Sequence, residues 1–65
     1  MKKGSTFYMN FNDTTGGRLY KRVLKCTVRA IVDGMVVYRY WNPRSQGWIY
    51  SIDYPESLEA AKVDT

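Results

Sequence analysis

The chain has no histidine and only one cysteine among its 65 residues. A single cysteine cannot form an intramolecular disulfide, and without histidine the chain has neither a Cys/His zinc site nor an imidazole base for catalysis. Small secreted domains are usually held together by about two to four disulfides. We therefore expect Cys26 to be a small buried side chain in a cytoplasmic protein, where thiols stay reduced.

Long apolar runs are also missing. No segment approaches the roughly 18–20 apolar residues that a membrane-spanning helix needs. Met1, Lys2 and Lys3 lead directly into Gly4 and Ser5 and not into the apolar core of a secretory signal. We expect no contact with a membrane. The length predicts one small domain, residues 1–65, which buries only roughly 60% of the surface that its unfolded chain exposes.

Motifs for catalysis and for cofactors are absent as well. Gly16 and Gly17 lack the spacing of a phosphate-binding loop. An alternative is a hard-cation site made of Asp53, Glu56 and Glu59, but a capped helix start explains the same residues. No carboxylate is predicted to pair in an apolar surrounding that would raise its pKa for acid–base work. We predict that the chain is not an enzyme and has no catalytic residue, metal, cofactor or small-molecule substrate.

The residues that are present alternate as they do in β-strands. From Ser5 to Asn12, the apolar residues Phe7, Met9 and Phe11 fall on every second position, which predicts a half-buried strand. A first turn signal, Asp13 to Gly17, separates this strand from a longer apolar segment that runs from about Arg18 to Val32. Its pattern is least regular near Arg22 and Val23, where we expect a bulge or a bend.

The Asp33–Gly34 pair predicts a two-residue type I′ turn, because both residues tolerate positive φ. A turn of this kind fixes the pairing of the strands on either side. It would place Arg29 opposite Tyr38 and Thr27 opposite Tyr40, all four on the polar face of the sheet.

A third turn signal, Asn42 to Gly47, contains Pro43 and predicts a hairpin with Pro43–Gln46 as its loop. This register places Trp41 beside Trp48, and we expect both tryptophans in the core. Arg39 falls on the same face. We expect its stem to lie along aromatic rings with its charged head in solvent.

The end of the chain changes character and predicts a short helix. Asp53 is placed to cap it, Pro55 suits its first turn, and Glu56 completes a capping box. The predicted fold is mainly β (α+β), an antiparallel meander of four or five strands with a short C-terminal helix. The sheet either closes partly into a small SH3-like barrel, which the wide apolar face favours, or stays open under the helix.

Basic residues are concentrated in the middle of the chain. The formal net charge is +4; residues 18–48 carry seven Lys or Arg against Asp33. The predicted polar face combines cations with tyrosines and forms the candidate binding surface: Lys21, Lys25, Arg29, Tyr38 and Tyr40. Cations of this kind contact phosphates, and tyrosine rings stack on unpaired bases. The same residues also suit an ordinary solvated sheet face.

Two functions follow as expectations. Six tyrosines and two tryptophans are a high aromatic load, and Tyr, Trp and Arg are enriched at interface hot spots. The edge strand Thr6–Phe11 also offers unpaired backbone groups. We favour a binding or regulatory module that docks on a protein partner or on a second copy of the chain. Binding of single-stranded RNA or DNA through the candidate surface is the alternative.

Overall fold

The computed structural model describes residues 1–15 and 17–63, and for residues 13–15 and 20 it describes the backbone alone. In this part of the chain four antiparallel strands form one sheet in the order β1-β2-β3-β4, followed by one helix. The elements are β1 Thr6–Thr15, β2 Arg18–Val32, β3 Met35–Asn42, β4 Gly47–Asp53 and α1 Pro55–Ala61. The mainly β prediction with a short C-terminal helix is confirmed. The sheet remains open and does not close into a barrel.

Two of the three predicted turns lie where the sequence placed them. Asp33 and Gly34 both have positive φ, 50° and 77°, as a type I′ turn requires. The β3–β4 hairpin closes at the Asn42–Gly47 pair, and Asn42 Oδ1 accepts a hydrogen bond of 3.0 Å from the backbone N–H of Arg44 inside the loop. The turn predicted at residues 13–17 is shorter than expected because residues 13–15 belong to β1; Gly16 lies outside the described residues.

A bulge in β2 changes the register that the Asp33–Gly34 turn begins. Ala30 pairs with Val37 as predicted, but the pairing then shifts by one residue, so that Val28 lies opposite Tyr38. Arg29 is the additional residue of this bulge. The bulge expected near Arg22 is therefore wrong in position, since the β1–β2 ladder runs through that region without a shift. As a result, every side chain of β3 lies on the face opposite to the one predicted.

The core lies between one face of the sheet and α1. Its buried side chains come from β1, β2, β3 and the helix: Phe7, Cys26, Val28, Val36, Tyr38 and Leu58. Leu58 is the buried residue of α1, while Tyr54 and Ala61 of the predicted apolar stripe are exposed. Leu58 is the one side chain that α1 buries, so the helix covers only the small cluster beneath it. The wide apolar surface of β3 and β4, which favoured a barrel, lies on the other side of the sheet.

The start of α1 differs by one residue from the prediction. Tyr54 is the N-cap residue and makes no side-chain capping bond. Asp53 ends β4, and its Oδ1 accepts a 2.9 Å hydrogen bond from the backbone N–H of Tyr54. Pro55 occupies the first turn as expected. The predicted capping box from Asp53 to Glu56 is therefore wrong, although the carboxylate still satisfies a backbone donor at the junction between strand and helix.

The residues after α1 return to the outer edge of β1. Lys62 forms a β-bridge with Met9, and the backbone N–H of Val63 donates to the carbonyl oxygen of Tyr8 over 2.7 Å. The edge strand expected to be fully exposed is thus partly covered by the chain's own C-terminal segment. Within the described residues, no helix is long and apolar enough to span a bilayer.

Candidate interaction surface

The face of the sheet that α1 leaves uncovered is the candidate site, and we call it the open face. Side chains alternate between the two faces of a strand, and the ladders align the alternating positions of neighbouring strands. Because Cys26, Val28, Val36 and Tyr38 pack under the helix, the alternate positions point to the other side. The open face on β2, β3 and β4 comprises Lys21, Val23, Lys25, Thr27, Val37, Arg39, Trp41, Trp48, Tyr50 and Ile52.

Four neighbouring side chains on β3 and β4 form what we call the aromatic ridge: Arg39, Trp41, Trp48 and Tyr50. The Trp41 and Trp48 rings meet edge to face with centroids 5.3 Å apart. The Arg39 guanidinium carbon lies 4.1 Å from the centroid of Trp48, and its Nη1 donates a 3.2 Å hydrogen bond to Tyr50 Oη. The pairs Trp41–Trp48 and Arg39–Tyr50 are directly opposite each other in the β3–β4 ladder, as the sequence predicted.

The rings of the ridge are only partly covered by one another. Trp41 is 44% exposed, Trp48 49% and Tyr50 57%. Ile52 beside them is exposed as well. The prediction that both tryptophans lie in the core is wrong. The expected path of Arg39 along aromatic rings is confirmed, and the Nε atom of Arg39 is buried without a hydrogen-bond acceptor among the described residues.

Charge is distributed unequally between the two faces. The described side chains of the open face include the cations Lys21, Lys25 and Arg39 and no carboxylate. The acidic residues Glu56 and Glu59 lie on α1, on the opposite side of the sheet. The open face therefore presents a positive potential to any partner that approaches it.

The five residues predicted as a binding surface do not come together. Lys21 and Lys25 are exposed on the open face, and Arg29 is exposed at the bulge. Tyr38 is only 4% exposed and packs its ring 5.5 Å from that of Phe7 in the core. The single-face placement is wrong because the bulge at Arg29 reverses β3 relative to β2.

Tyr40 also lies on the helix side of the sheet. Its ring packs 4.4 Å from that of Phe11, next to the core, where it lines a shallow hollow with Arg22 and Arg44. Burial is the main cause that raises its pKa, with additional contributions from Tyr38 and Cys26. Its ring is therefore not available on the open face.

Sequence reasoning missed Trp41, Trp48 and Tyr50 as surface residues because aromatic side chains at alternating positions are typical of a core. One signal was present in the sequence. The predicted register placed Arg39 in the middle of the supposed apolar interior, where an unpaired cation is costly. A charged residue at that position indicates that the surrounding rings face solvent.

The described part of the chain has few side chains that could bind a metal ion or act as a nucleophile. No three His, Cys, Asp or Glu side chains lie close enough there to hold a metal ion. Cys26 is buried as expected, and burial raises the pKa of its thiol from 9.0 to about 11. A thiol of this kind stays protonated near neutral pH and is a poor nucleophile. The arrangement on the open face is suited to contact with a macromolecule.

Comparison of the chain with protein-family models, curated proteins and solved structures finds no match.

Proposed function

We propose that the chain is a non-enzymatic binding module whose open face docks a segment of a partner protein. The observation that carries this proposal is the half-exposed aromatic ridge on a sheet face that none of the described elements covers. Tryptophan, tyrosine and arginine are the residue types that dominate binding energy at protein interfaces. Contiguous exposed apolar surface of this kind is a feature of interaction sites.

Charge indicates the chemistry of the partner segment. Lys25 borders the ridge on the β2 side, Lys21 lies farther along the same strand, and no described carboxylate on this face opposes them. An apolar segment flanked by Asp or Glu would bury its apolar side chains on the ridge and place its carboxylates near these lysines. Such complementarity mainly sets orientation and the rate of association.

A protein segment suits this face better than a nucleic acid for two reasons. The Arg39 guanidinium already contacts Trp48 and Tyr50, so the cation closest to the rings is engaged within the molecule. Val37 and Ile52 continue the ridge as aliphatic surface, on which bases do not stack. The carboxylate-free open face with its three cations nevertheless supports single-stranded nucleic acid as a second candidate.

A display library of random peptides tests the proposal. Sequences selected on the immobilised protein are expected to combine aromatic or aliphatic residues with Asp or Glu. Synthetic peptides with the selected sequences should bind the Tyr50→Ala variant about tenfold more weakly than they bind the unmodified chain. Tyr54→Ala is the matched control, because Tyr54 is as exposed as Tyr50, at 59% against 57%, but lies outside the open face.

Two outcomes would overturn the proposal. One is a library that yields no binding peptide, or peptides that bind both variants equally. The other is tight binding of oligo-dT or oligo-U, measured by fluorescence anisotropy, that weakens steeply with salt and is lost in Lys25→Ala. The steep salt dependence would identify phosphate contacts and establish the nucleic-acid function instead.

A further inference from the structure

The outer edge of β4 has no partner strand among the described residues. β4 is the last strand of the sheet, and no other strand or bridge among residues 1–15 and 17–63 pairs with its free side. An unpaired edge presents a row of N–H and C=O groups that can accept another strand. Soluble proteins usually prevent this with a charged side chain, a proline, a bulge or a covering segment.

β4 has none of these protections along most of its length. Its central residues, Trp48 to Ile52, contain no charge, no proline and no glycine. The β3–β4 ladder runs from Asn42–Gly47 to Val36–Asp53 without a bulge. The first charged residue, Asp53, stands at the very end of the strand.

The other edge of the same sheet is treated differently. β1 is covered in its middle by the C-terminal segment, through the Met9–Lys62 bridge and the hydrogen bond from Val63 to Tyr8. Lys62 places a cation at that edge and forms a 2.8 Å ion pair with Glu59. The chain therefore protects one edge and leaves the more β-prone edge open.

We propose that a second copy of this chain pairs its β4 with β4, antiparallel across a two-fold axis, and that the two sheets become continuous. In an antiparallel two-fold pair, the residues near the axis face their own copies, so a charge near the middle of the strand would oppose itself. The uncharged stretch Trp48–Ile52 avoids this repulsion. The inference rests on the backbone and the charge of β4 alone and is independent of the function proposed for the open face.

The cations of the open face also favour pairing at the edge over stacking of the two open faces. With β4 beside β4, Lys25 and its copy on the two β2 strands lie five strand spacings apart, roughly 24 Å, which exceeds the Debye length in physiological salt. Face-to-face stacking would instead bring the two sheets to about 10 Å and set their lysines against each other. Edge pairing continues the exposed surface of Trp48, Tyr50 and Ile52 from one copy to the other and lengthens the aromatic ridge.

Two measurements on the unmodified chain test this inference. Sedimentation equilibrium from micromolar to millimolar protein should show a monomer–dimer equilibrium. Hydrogen exchange at both ends of that range should show new protection at alternate amides of β4, while the free amides of β1 exchange at unchanged rates. A monomer at all concentrations, or a dimer without added protection in β4, would overturn the inference.

Introducing a charge at one serine provides a sharper test. Ser51 lies near the middle of β4 opposite Tyr38, so Ser51→Lys and Ser51→Glu each place like charges near the two-fold axis. We expect each variant alone to dimerise about tenfold more weakly and an equimolar mixture to recover dimerisation. Ser57→Lys is the matched control, because Ser57 is exposed on α1 and away from β4. This variant should dimerise like the unmodified chain.

The outcomes separate this inference from the function proposed for the open face. Circular dichroism establishes that the Ser51 variants keep the fold. Equal dimerisation of Ser51→Lys, Ser51→Glu and Ser57→Lys would overturn the β4 interface. Peptide binding to the open face, measured at concentrations where the chain is monomeric, would be unaffected by that result.

Discussion

The guanidinium group of Arg39 lies over the ring of Trp48, with 4.1 Å between the guanidinium carbon and the ring centroid, on a surface that no other element in the described part of the chain covers. Stacking of this kind uses the planarity of arginine as well as its charge. The contact therefore connects the central cation of β3 to the aromatic side chains of β4 and holds the aromatic ridge in one arrangement.

The energy of this contact can be measured with a double-mutant cycle. We expect Arg39→Ala and Trp48→Ala to show a coupling of about 0.5–1 kcal/mol in the free energy of unfolding, the range of exposed cation–π pairs. Arg39→Lys keeps the charge but loses the planar stack and should recover only part of the coupling. Strictly additive effects in urea denaturation would contradict the contact.

The Asp33–Gly34 turn gives a second prediction. Gly34 has φ of 77°, and a Cβ added there would meet nothing within 4 Å. The Gly34→Val variant should still lose about 1–2 kcal/mol of stability, because left-handed backbone is unfavourable for a residue with a Cβ, and the branched valine side chain is especially resistant to it. Gly47→Ala is the control, since Gly47 does not have positive φ. Equal midpoints of thermal unfolding for the two variants would show that the backbone of this turn is not as described.

Leu58 is the buried contact of α1 with the sheet. Its side chain is fully buried among Phe7, Cys26 and Val28, so Leu58→Ala should cost about 2–5 kcal/mol. Most of the stability of so small a domain would then be lost, and the helical signal in circular dichroism should fall. Glu59→Ala removes an exposed ion pair with Lys62 and should leave the stability almost unchanged. Similar losses in the two variants would argue against the packing of Leu58.

Burial of Cys26 predicts how stability depends on pH. The folded state raises the pKa of this thiol from 9.0 to about 11, so the unfolded chain loses its proton first. Stability due to Cys26 is complete below pH 9 and falls as pH rises toward 11, by at most about 1.4 kcal/mol per pH unit. The slope should be shallower in Cys26→Ala, in which the remaining decrease comes from groups such as Tyr40, whose pKa is also raised. Parallel curves of unfolding free energy against pH would contradict the predicted burial of the thiol.

The sequence predicts the strands and turns well because these depend on local chemistry. Residue alternation located β2 from Arg18 to Val32, and the Asp33–Gly34 pair identified its turn. The loop Pro43–Gln46 fixed the β3–β4 register, including the Trp41–Trp48 pair. Each of these features is decided within a few neighbouring residues.

The identity of the buried face could not be predicted in the same way. In β3, one set of alternate positions contains Val36, Tyr38 and Tyr40, and the other contains Val37 and Trp41. Apart from Arg39 in the second set, whose charge is the one signal of a face in contact with solvent, both sets are mainly apolar or aromatic, so hydrophobicity hardly chooses between them. The choice depends on the bulge at Arg29, which no turn residue or break in alternation marks. For this reason the predicted candidate surface failed at Tyr38 and Tyr40 and succeeded only in placing Lys21 and Lys25 on the side away from the core.

The bulge at Arg29 makes the character of the molecular surface depend on strand pairing as much as on side-chain identity. If Arg29 paired directly with Tyr38, without a bulge, the inner and outer side chains of β3 and β4 would be exchanged. The tryptophans would then lie beneath the helix, and the tyrosines of β3 would meet solvent. Deleting Arg29 would instead leave every observed β2–β3 pair in place and keep the same side chains exposed, so one unpaired residue decides which side chains are available for recognition.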